Sequence, residues 1–257
     1  MSKKISNIFI DDGGTGSVPL VFIHSLAGNT QHWSAQLSHV RTTRRAVALD
    51  LRGHGQSSLP TNGDYAIDSM AQDVQTVIDQ LGIQRFILVG HSMGGSVAVA
   101  YAGAYPQRVA GLFLVDPSGD STQMPVEEVQ QYLGALESEA YSNVVEGYWN
   151  QILAGSTETT EVKVMQDLRD TSKATVVGIF KELFKYNPVP ALERYNGPKL
   201  SVITSLNETP FSLHKLVSDL PHEMITGTGH WVQLDKPEEF NRTIDDFLTS
   251  IGNGSLI

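Results

Sequence analysis

The chain has 257 residues, of which 40% are hydrophobic and 18% are charged, a composition that fits one large globular domain or two small ones. Its formal net charge is −10 and its densest basic cluster is the segment RTTRR at 41–45, so nucleic acid is not expected as a partner. The chain contains no cysteine, which excludes disulfides, thiolate metal sites and a cysteine nucleophile.

The sequence also lacks the signals of a membrane or metal protein. No run approaches about 18 consecutive apolar residues, and the first residues lack the apolar segment of a secretory signal, so we expect a cytoplasmic protein. The His, Asp and Glu residues do not cluster at metal-ligand spacing, and no glycine-rich phosphate-binding loop precedes a helix. We therefore expect neither a metal nor an organic cofactor.

Short β-rich runs alternate with helical patterns in the first half of the chain. The predicted strands of this half are 5–10, 18–24, 45–51, 86–90 and 111–116. The runs at 86–90 and 111–116 are almost continuously apolar, which is typical of parallel strands buried on both faces. Apolar residues at helical spacing predict a helix over 67–81 that ends at Gly82, and a second helix is predicted over 93–105.

The pattern becomes helical between Pro117 and Asn187, and strands return afterwards. Helices are predicted at 126–140, 142–155 and 171–186, followed by strands at 198–205 and 222–227 and a closing helix at 237–252. The alternation predicts a mostly parallel sheet with helices on both faces. We expect residues 1–116 and 188–257 to form this core, and residues 117–187 to form a helical cap over the carboxyl edge of the sheet.

One serine stands between two glycines where a predicted strand meets a predicted helix. The segment Gly90-His91-Ser92-Met93-Gly94 matches the pattern G-x-S-x-G in the context that this pattern requires. A sharp strand-to-helix turn holds such a serine in a strained conformation, and close packing on either side accepts only a hydrogen in place of Cβ. Ser92 is therefore the predicted nucleophile.

A serine nucleophile needs a base and donors for the oxyanion that forms on the carbonyl. His230 follows the last predicted strand, which places it at the same edge of a parallel sheet as Ser92, and we predict that it is the base. The predicted oxyanion donors are the backbone N–H groups of Met93, which follows the nucleophile, and of Leu26, in the loop after the strand at 18–24.

Four motifs occur in the order and at the separations of one family: FIHSLAG, LDLRGHGQSS, GHSMGG and GTGHWVQLDKPEEFN. By these motifs the chain resembles the α/β-hydrolase family, in the branch of compact esterases, perhydrolases and C–C hydrolases. The resemblance covers about residues 18–250 and is weakest in the helical cap. It implies an eight-stranded, mostly parallel sheet, a cap inserted after the sixth strand, and a Ser–acid–His triad that needs no cofactor. His24-Ser25 stands where relatives usually have His-Gly.

The acid of the triad is missing from the position that the resemblance implies. Asn207 occupies that position after the seventh strand. Asp116, at the end of the sixth strand, is the preferred replacement, because some α/β-hydrolases take their acid from that strand. Glu208 is the alternative acid, and Asn207 acting only to orient the histidine is a third interpretation.

Together these residues predict a cofactor-free serine hydrolase that cleaves small carboxylic esters or lactones through an acyl-enzyme on Ser92. A C–C bond hydrolase acting on a β-diketone-type substrate with the same triad is the alternative enzyme. A non-hydrolytic binder built on the same fold is the alternative outside catalysis, because the standard aspartate is absent. The expected partner is a small-molecule substrate.

Overall fold

In a computed structural model that describes residues 2–16 and 18–254, one mixed sheet forms the centre of the molecule. Within the described residues its strands are β1 (Ser2–Ile5), β2 (Ile8–Gly13), β3 (Leu20–Ile23), β4 (Ala46–Leu49), β5 (Phe86–His91), β6 (Val109–Val115), β7 (Lys199–Ile203) and β8 (His222–Met224). Their spatial order is β1-β2-β4-β3-β5-β6-β7-β8. Strands β3 to β8 are parallel, and β2 is antiparallel to both of its neighbours. The predicted eight-stranded, mostly parallel sheet is confirmed.

Helices cover both faces of this sheet. Over the same described residues they are α1 (Ser34–Val40), α2 (Ile67–Gln80), α3 (Met93–Ala104), α4 (Val126–Glu137), α5 (Tyr141–Ile152), α6 (Glu158–Asp170), α7 (Lys173–Leu183), α8 (Val189–Glu193), α9 (Leu213–Leu216), α10 (Val232–Asp235) and α11 (Pro237–Gly254). Gly82 follows α2 with φ 66°, as expected of a glycine that ends a helix. Within the described chain, no helix combines the length and the apolarity that crossing a membrane requires.

Two hydrophobic clusters, one on each face of the sheet, form the core. Every residue of β5 and β6 is buried, which agrees with the near-continuous apolar runs in their sequences. On one face α2 and α3 pack on the sheet, and on the other Trp33 and Phe240 belong to the cluster beneath α1 and α11. The carboxyl ends of the parallel strands are therefore rigidly held.

The expected strand at 5–10 is wrong, because the chain reverses within it. Ser6 and Asn7 have φ values of 47° and 74°, and this two-residue turn joins β1 to β2 as an antiparallel hairpin. Asparagine accepts the left-handed region more readily than most residues, so the Ser-Asn pair was a turn signal inside an otherwise strand-like run.

The helices between β6 and β7 form a cap that differs in composition from the core. Helix α6 was not expected from the sequence, because only Thr160, Val164 and Leu168 of its residues are buried. Met165 is partly buried, and the other residues are polar or exposed. The Thr157 side chain accepts a hydrogen bond from the backbone N–H of Thr160 and begins this helix. With so few apolar residues, the sequence of α6 shows only a weak helical periodicity.

Candidate active site

Ser92 sits on a sharp turn between β5 and α3. Its backbone angles are φ 54° and ψ −118°, a region that residues with a side chain rarely adopt. The glycines on either side permit this turn: a Cβ on Gly90 would collide with the backbone of Gly94, and a Cβ on Gly94 would collide with the carbonyl of His24. The Ser92 N–H donates to Val115 O at 2.9 Å, which fastens the turn to β6. These backbone contacts help to hold residue 92 in the turn.

His230 lies in the loop after β8, and its ring contacts a buried carboxylate. The Nδ1–H of His230 donates to Asp116 Oδ2 at 2.5 Å. Asp116 also accepts hydrogen bonds from Thr204, from the backbone N–H at 2.8 Å and from the hydroxyl at 3.0 Å. The Asp116 side chain is 2% exposed, so three donors in a buried setting fix the orientation of this carboxylate.

Asn207 and Glu208 have other partners. Asn207 Nδ2 donates to the carbonyl of Pro117 at 2.9 Å. Glu208 is exposed and pairs with Lys215 at 2.7 Å and with His214 at 3.2 Å. The hydrogen bond from Lys215 lowers the pKa of the Glu208 carboxyl. Of the two carboxylates that the sequence offered, the structure brings Asp116 to His230 and turns Glu208 toward the surface.

Ser92 and His230 line one small cavity together with Leu26 and Met93. This cavity has a volume of about 40 Å³. Met93 is the first residue of α3, where backbone N–H groups have no acceptor within the helix and the helix dipole favours negative charge. The predicted nucleophile, base and oxyanion residues therefore surround one space.

A buried histidine shapes the loop that carries Leu26. The Nδ1–H of His24 donates to Ser25 O at 2.7 Å, and its Nε2 accepts from Leu51 N at 2.9 Å. Burial lowers the pKa of His24 well below its usual value, so the ring stays neutral and can both donate and accept. His24 thus supports the loop from inside through these two hydrogen bonds.

His91, the residue before Ser92, is a second buried support. Its Nδ1 accepts from the Gln233 side chain at 3.1 Å, and its Nε2–H donates to the backbone carbonyl of His230 at 2.9 Å. The ring is fully buried, and this burial lowers the pKa of His91 well below its usual value. The residue before Ser92 therefore fixes the backbone of His230. Its position next to Ser92 was the only signal in the sequence.

Asp235 joins the loop of His230 to the cap. Its carboxylate accepts hydrogen bonds from Ser156 Oγ at 2.9 Å, Thr157 N at 2.9 Å, Thr228 Oγ1 at 2.7 Å and Gly229 N at 3.1 Å. The His230 N–H donates to Ile152 O, at the end of α5, at 2.9 Å. The corner of the cap between α5 and α6 and the histidine loop therefore form one hydrogen-bonded unit.

A larger chamber lies between the cap and the carboxyl edge of the sheet. Its volume is about 940 Å³, and Ser92, Asp116 and His230 line it on the core side. On the cap side it is lined by an aromatic cluster whose rings meet edge to face at several contacts, namely Tyr132, Tyr148, Phe180 and Phe184. A chamber of this size and lining is typical of a site for a small organic molecule.

The order of the strands and the helices on both faces indicate the α/β-hydrolase fold, and comparison with known proteins gives the same fold. The family model described as the alpha/beta hydrolase fold matches residues 18–237. The chain belongs to this family.

Several members are similar over most of their length. The sn-1-specific diacylglycerol lipase ABHD11 of Mus musculus is 29% identical, over 92% of this chain and 83% of that protein. The solved structure of Est816, titled as an N-acyl homoserine lactone degrading enzyme, is 25% identical with a TM-score of 0.81, over 96% of this chain and all (100%) of the other. A thermophilic esterase from Thermogutta terrifontis shares the fold at 22% identity and TM-score 0.81, over 98% and 99% of the two chains.

A lipase and a lactone-degrading enzyme are thus among the proteins that this chain is similar to. Together with the family match, they support a hydrolase that acts on esters.

Proposed function

We propose that the protein is a cofactor-free serine hydrolase that cleaves small carboxylic esters or lactones through an acyl-enzyme on Ser92. The observation that carries this proposal is the meeting of Ser92, His230, Leu26 and Met93 around one cavity, with Asp116 hydrogen-bonded to the far side of the histidine ring. Nucleophile, base, orienting acid and oxyanion donors are the parts that acyl transfer requires.

In the first half of the proposed reaction, His230 Nε2 takes the proton of the Ser92 hydroxyl as Oγ attacks the ester carbonyl. The carbonyl oxygen becomes negatively charged and is stabilised by the N–H groups of Leu26 and Met93. Asp116 keeps the proton of His230 on Nδ1, so that Nε2 faces the serine as an acceptor, and it stabilises the imidazolium. His230 then gives the proton to the leaving alkoxide, which departs as an alcohol.

In the second half, His230 removes a proton from a water molecule that attacks the acyl-enzyme. The carboxylic acid is released and Ser92 regains its proton. In a lactone the leaving alcohol stays attached to the acyl group, so the product is a single hydroxy acid. Two similar proteins, an esterase and a lactone-degrading enzyme, support both substrate types. We propose that residues 117–187 act as a lid over this site.

The test is the hydrolysis of p-nitrophenyl butyrate by wild type, Ser92→Ala and Ser34→Ala. Ser34 is exposed at the start of α1 and serves as the control serine. We expect Ser92→Ala to lose on the order of 10⁵-fold or more in kcat, because the attacking oxygen is removed, and Ser34→Ala to match wild type. A fluorophosphonate probe should label wild type and Ser34→Ala only. Full esterase activity in Ser92→Ala would refute the proposal.

A further inference from the structure

Apart from the ring of His230, the ionisable Asp, Glu, Lys and Arg side chains that line the larger chamber are all acidic. The described residues that line it include two carboxylates, Asp116 and Glu128, and neither Lys nor Arg is among them. The Asp116 carboxylate accepts hydrogen bonds from His230 and Thr204. Glu128 lies in the first turn of α4, at the exposed side of the chamber. The field inside the chamber is therefore unfavourable to an anion.

The remaining lining is apolar or neutral. Phe180, Phe184, Leu183, Met124 and Val144 supply apolar surface, and the neutral polar groups include the amides of Gln131, Gln151 and Asn207. A methylene chain gains from burial on such a surface. A carboxylate at the end of that chain would lose its hydration without meeting a cation, and Glu128 would repel it.

We propose that the chamber binds the acyl group of an uncharged, apolar ester or lactone and rejects acyl groups that end in a carboxylate, with Glu128 as a specificity-determining residue. This inference rests on the proposed hydrolysis at Ser92 and adds the chemical class of the acyl group. Ser92 lines both the small cavity and the chamber. The cavity of about 40 Å³ is too small for a six-carbon acyl chain, whereas the chamber of about 940 Å³ has room for it, so the acyl group on Ser92 extends into the chamber.

The test compares two esters of equal chain length, p-nitrophenyl hexanoate and the p-nitrophenyl monoester of adipic acid. We expect wild type to favour the hexanoate in kcat/KM by on the order of 100-fold, because the adipate ester brings an unpaired carboxylate into the chamber. Glu128→Lys should narrow this ratio about fivefold, mainly by raising the rate on the adipate ester, since a repulsive contact becomes an attractive one at an exposed site.

Glu127→Lys is the matched control. Glu127 is the neighbouring acid in the first turn of α4 and is exposed, but it does not line the chamber. Both variants change the net charge and the charge at the helix start equally. They differ only in whether the new lysine lines the chamber. Equal rates of wild type on the two esters, or equal narrowing by Glu127→Lys and Glu128→Lys, would overturn the inference.

A binding measurement separates this inference from the proposed function. Hexanamide and the monoamide of adipic acid are titrated into Ser92→Ala by calorimetry, because neither compound requires turnover. Tighter binding of hexanamide, with the difference reduced in Ser92→Ala/Glu128→Lys, supports the chamber's selectivity even if no ester is hydrolysed. Equal binding of the two amides contradicts it, whatever the esterase assay gives.

Discussion

The sheet and the cap are built in different ways, although both contribute to one site. Strands β5 and β6 are buried along their whole length, and the groups at their ends are held by backbone hydrogen bonds and by buried side chains. In the cap, α4 buries only Leu136 and α5 buries only Val145 and Trp149. Helices α4 and α5 therefore bury few residues, whereas α7 buries Thr175, Val176, Val177, Ile179 and Phe180. Polar contacts such as those of Asp235 add to this attachment of the cap.

This difference assigns separate tasks to the two regions. The proposed mechanism requires atoms to be held within a fraction of an ångström, and Ser92, His230 and Asp116 all stand on the buried core. Substrate choice depends on the shape and charge of the chamber, and the cap supplies most of its lining. Variants in the core should therefore change kcat, whereas variants in the cap should change the preference among substrates.

The largest expected effect comes from the acid in the core. Asp116→Asn should lower kcat about 10⁴-fold, because an amide cannot hold the required tautomer or stabilise the imidazolium. Glu208→Gln removes an exposed carboxylate that pairs with Lys215 and should change kcat less than about twofold. Steady-state kinetics on p-nitrophenyl butyrate measure both. A large loss in Glu208→Gln with none in Asp116→Asn would reverse the assignment of the acid.

The next effect concerns the pH dependence of core stability. All eight histidines lie outside the cap segment 117–187. Burial lowers the pKa of His54 to about 4. The unfolded chain therefore takes up a proton below about pH 6.5 while folded His54 does not, so stability present above that pH is lost as the pH falls toward 4. From pH 7 to pH 5 this one group should cost about 2 kcal/mol of unfolding free energy.

Urea denaturation of wild type and His54→Gln at pH 7 and pH 5 tests this. The loss of unfolding free energy between pH 7 and pH 5 should be smaller in His54→Gln than in wild type by about 2 kcal/mol, whatever the absolute stability of the variant. Each protein is compared with itself at the two pH values. The effect of the substitution on packing at residue 54 is the same at both pH values, so it cancels. Parallel stability losses in the two proteins would show that His54 does not stay neutral in the folded core.

The smallest effect belongs to the junction of the two regions. Asp235→Asn places an amide group where Ser156, Thr228 and Gly229 all donate hydrogen bonds, so the loop of His230 should shift slightly. We expect kcat to fall about tenfold with little change in KM, because the base is displaced while the chamber is intact. Asp219→Asn, at an exposed pair with Lys199, is the control. The NMR chemical shift of the proton between His230 and Asp116 should change in Asp235→Asn but not in Asp219→Asn. An unchanged chemical shift in Asp235→Asn would show that Asp235 does not help to position the His230 ring.

The core was predictable because its pattern is redundant. Apolar strand runs, the helix that ends at Gly82 and the glycines around Ser92 each specify local structure, and they agree with one another. The hairpin at Ser6 and Asn7 was missed because a two-residue turn is easily read as part of a longer strand. Helix α6 was missed because its few buried residues leave only a weak periodic signal.

The site was predictable where a local motif specifies geometry and not where the geometry arises between distant segments. Ser92 lies in such a motif, whereas the contact of Asp116 with His230 joins residues that are far apart in the chain, so the sequence left Glu208 open beside it. The hydrogen bond from His91 to the carbonyl of residue 230 had no pattern of its own. Such contacts follow from the positions of neighbouring strands and loops, which only a three-dimensional structure provides.

The most direct test of the central claim is to identify the residue that carries the acyl group. The protein is mixed with a p-nitrophenyl ester whose acyl group is hydrolysed slowly from the enzyme. The reaction is quenched in acid during the initial burst of p-nitrophenol release. The protein is then digested, and the modified peptide is sequenced by mass spectrometry. We expect one acyl group on the hydroxyl of Ser92, and none after prior reaction with a fluorophosphonate. Turnover of the ester with the acyl group on another residue, or with Ser92 never modified, would contradict it.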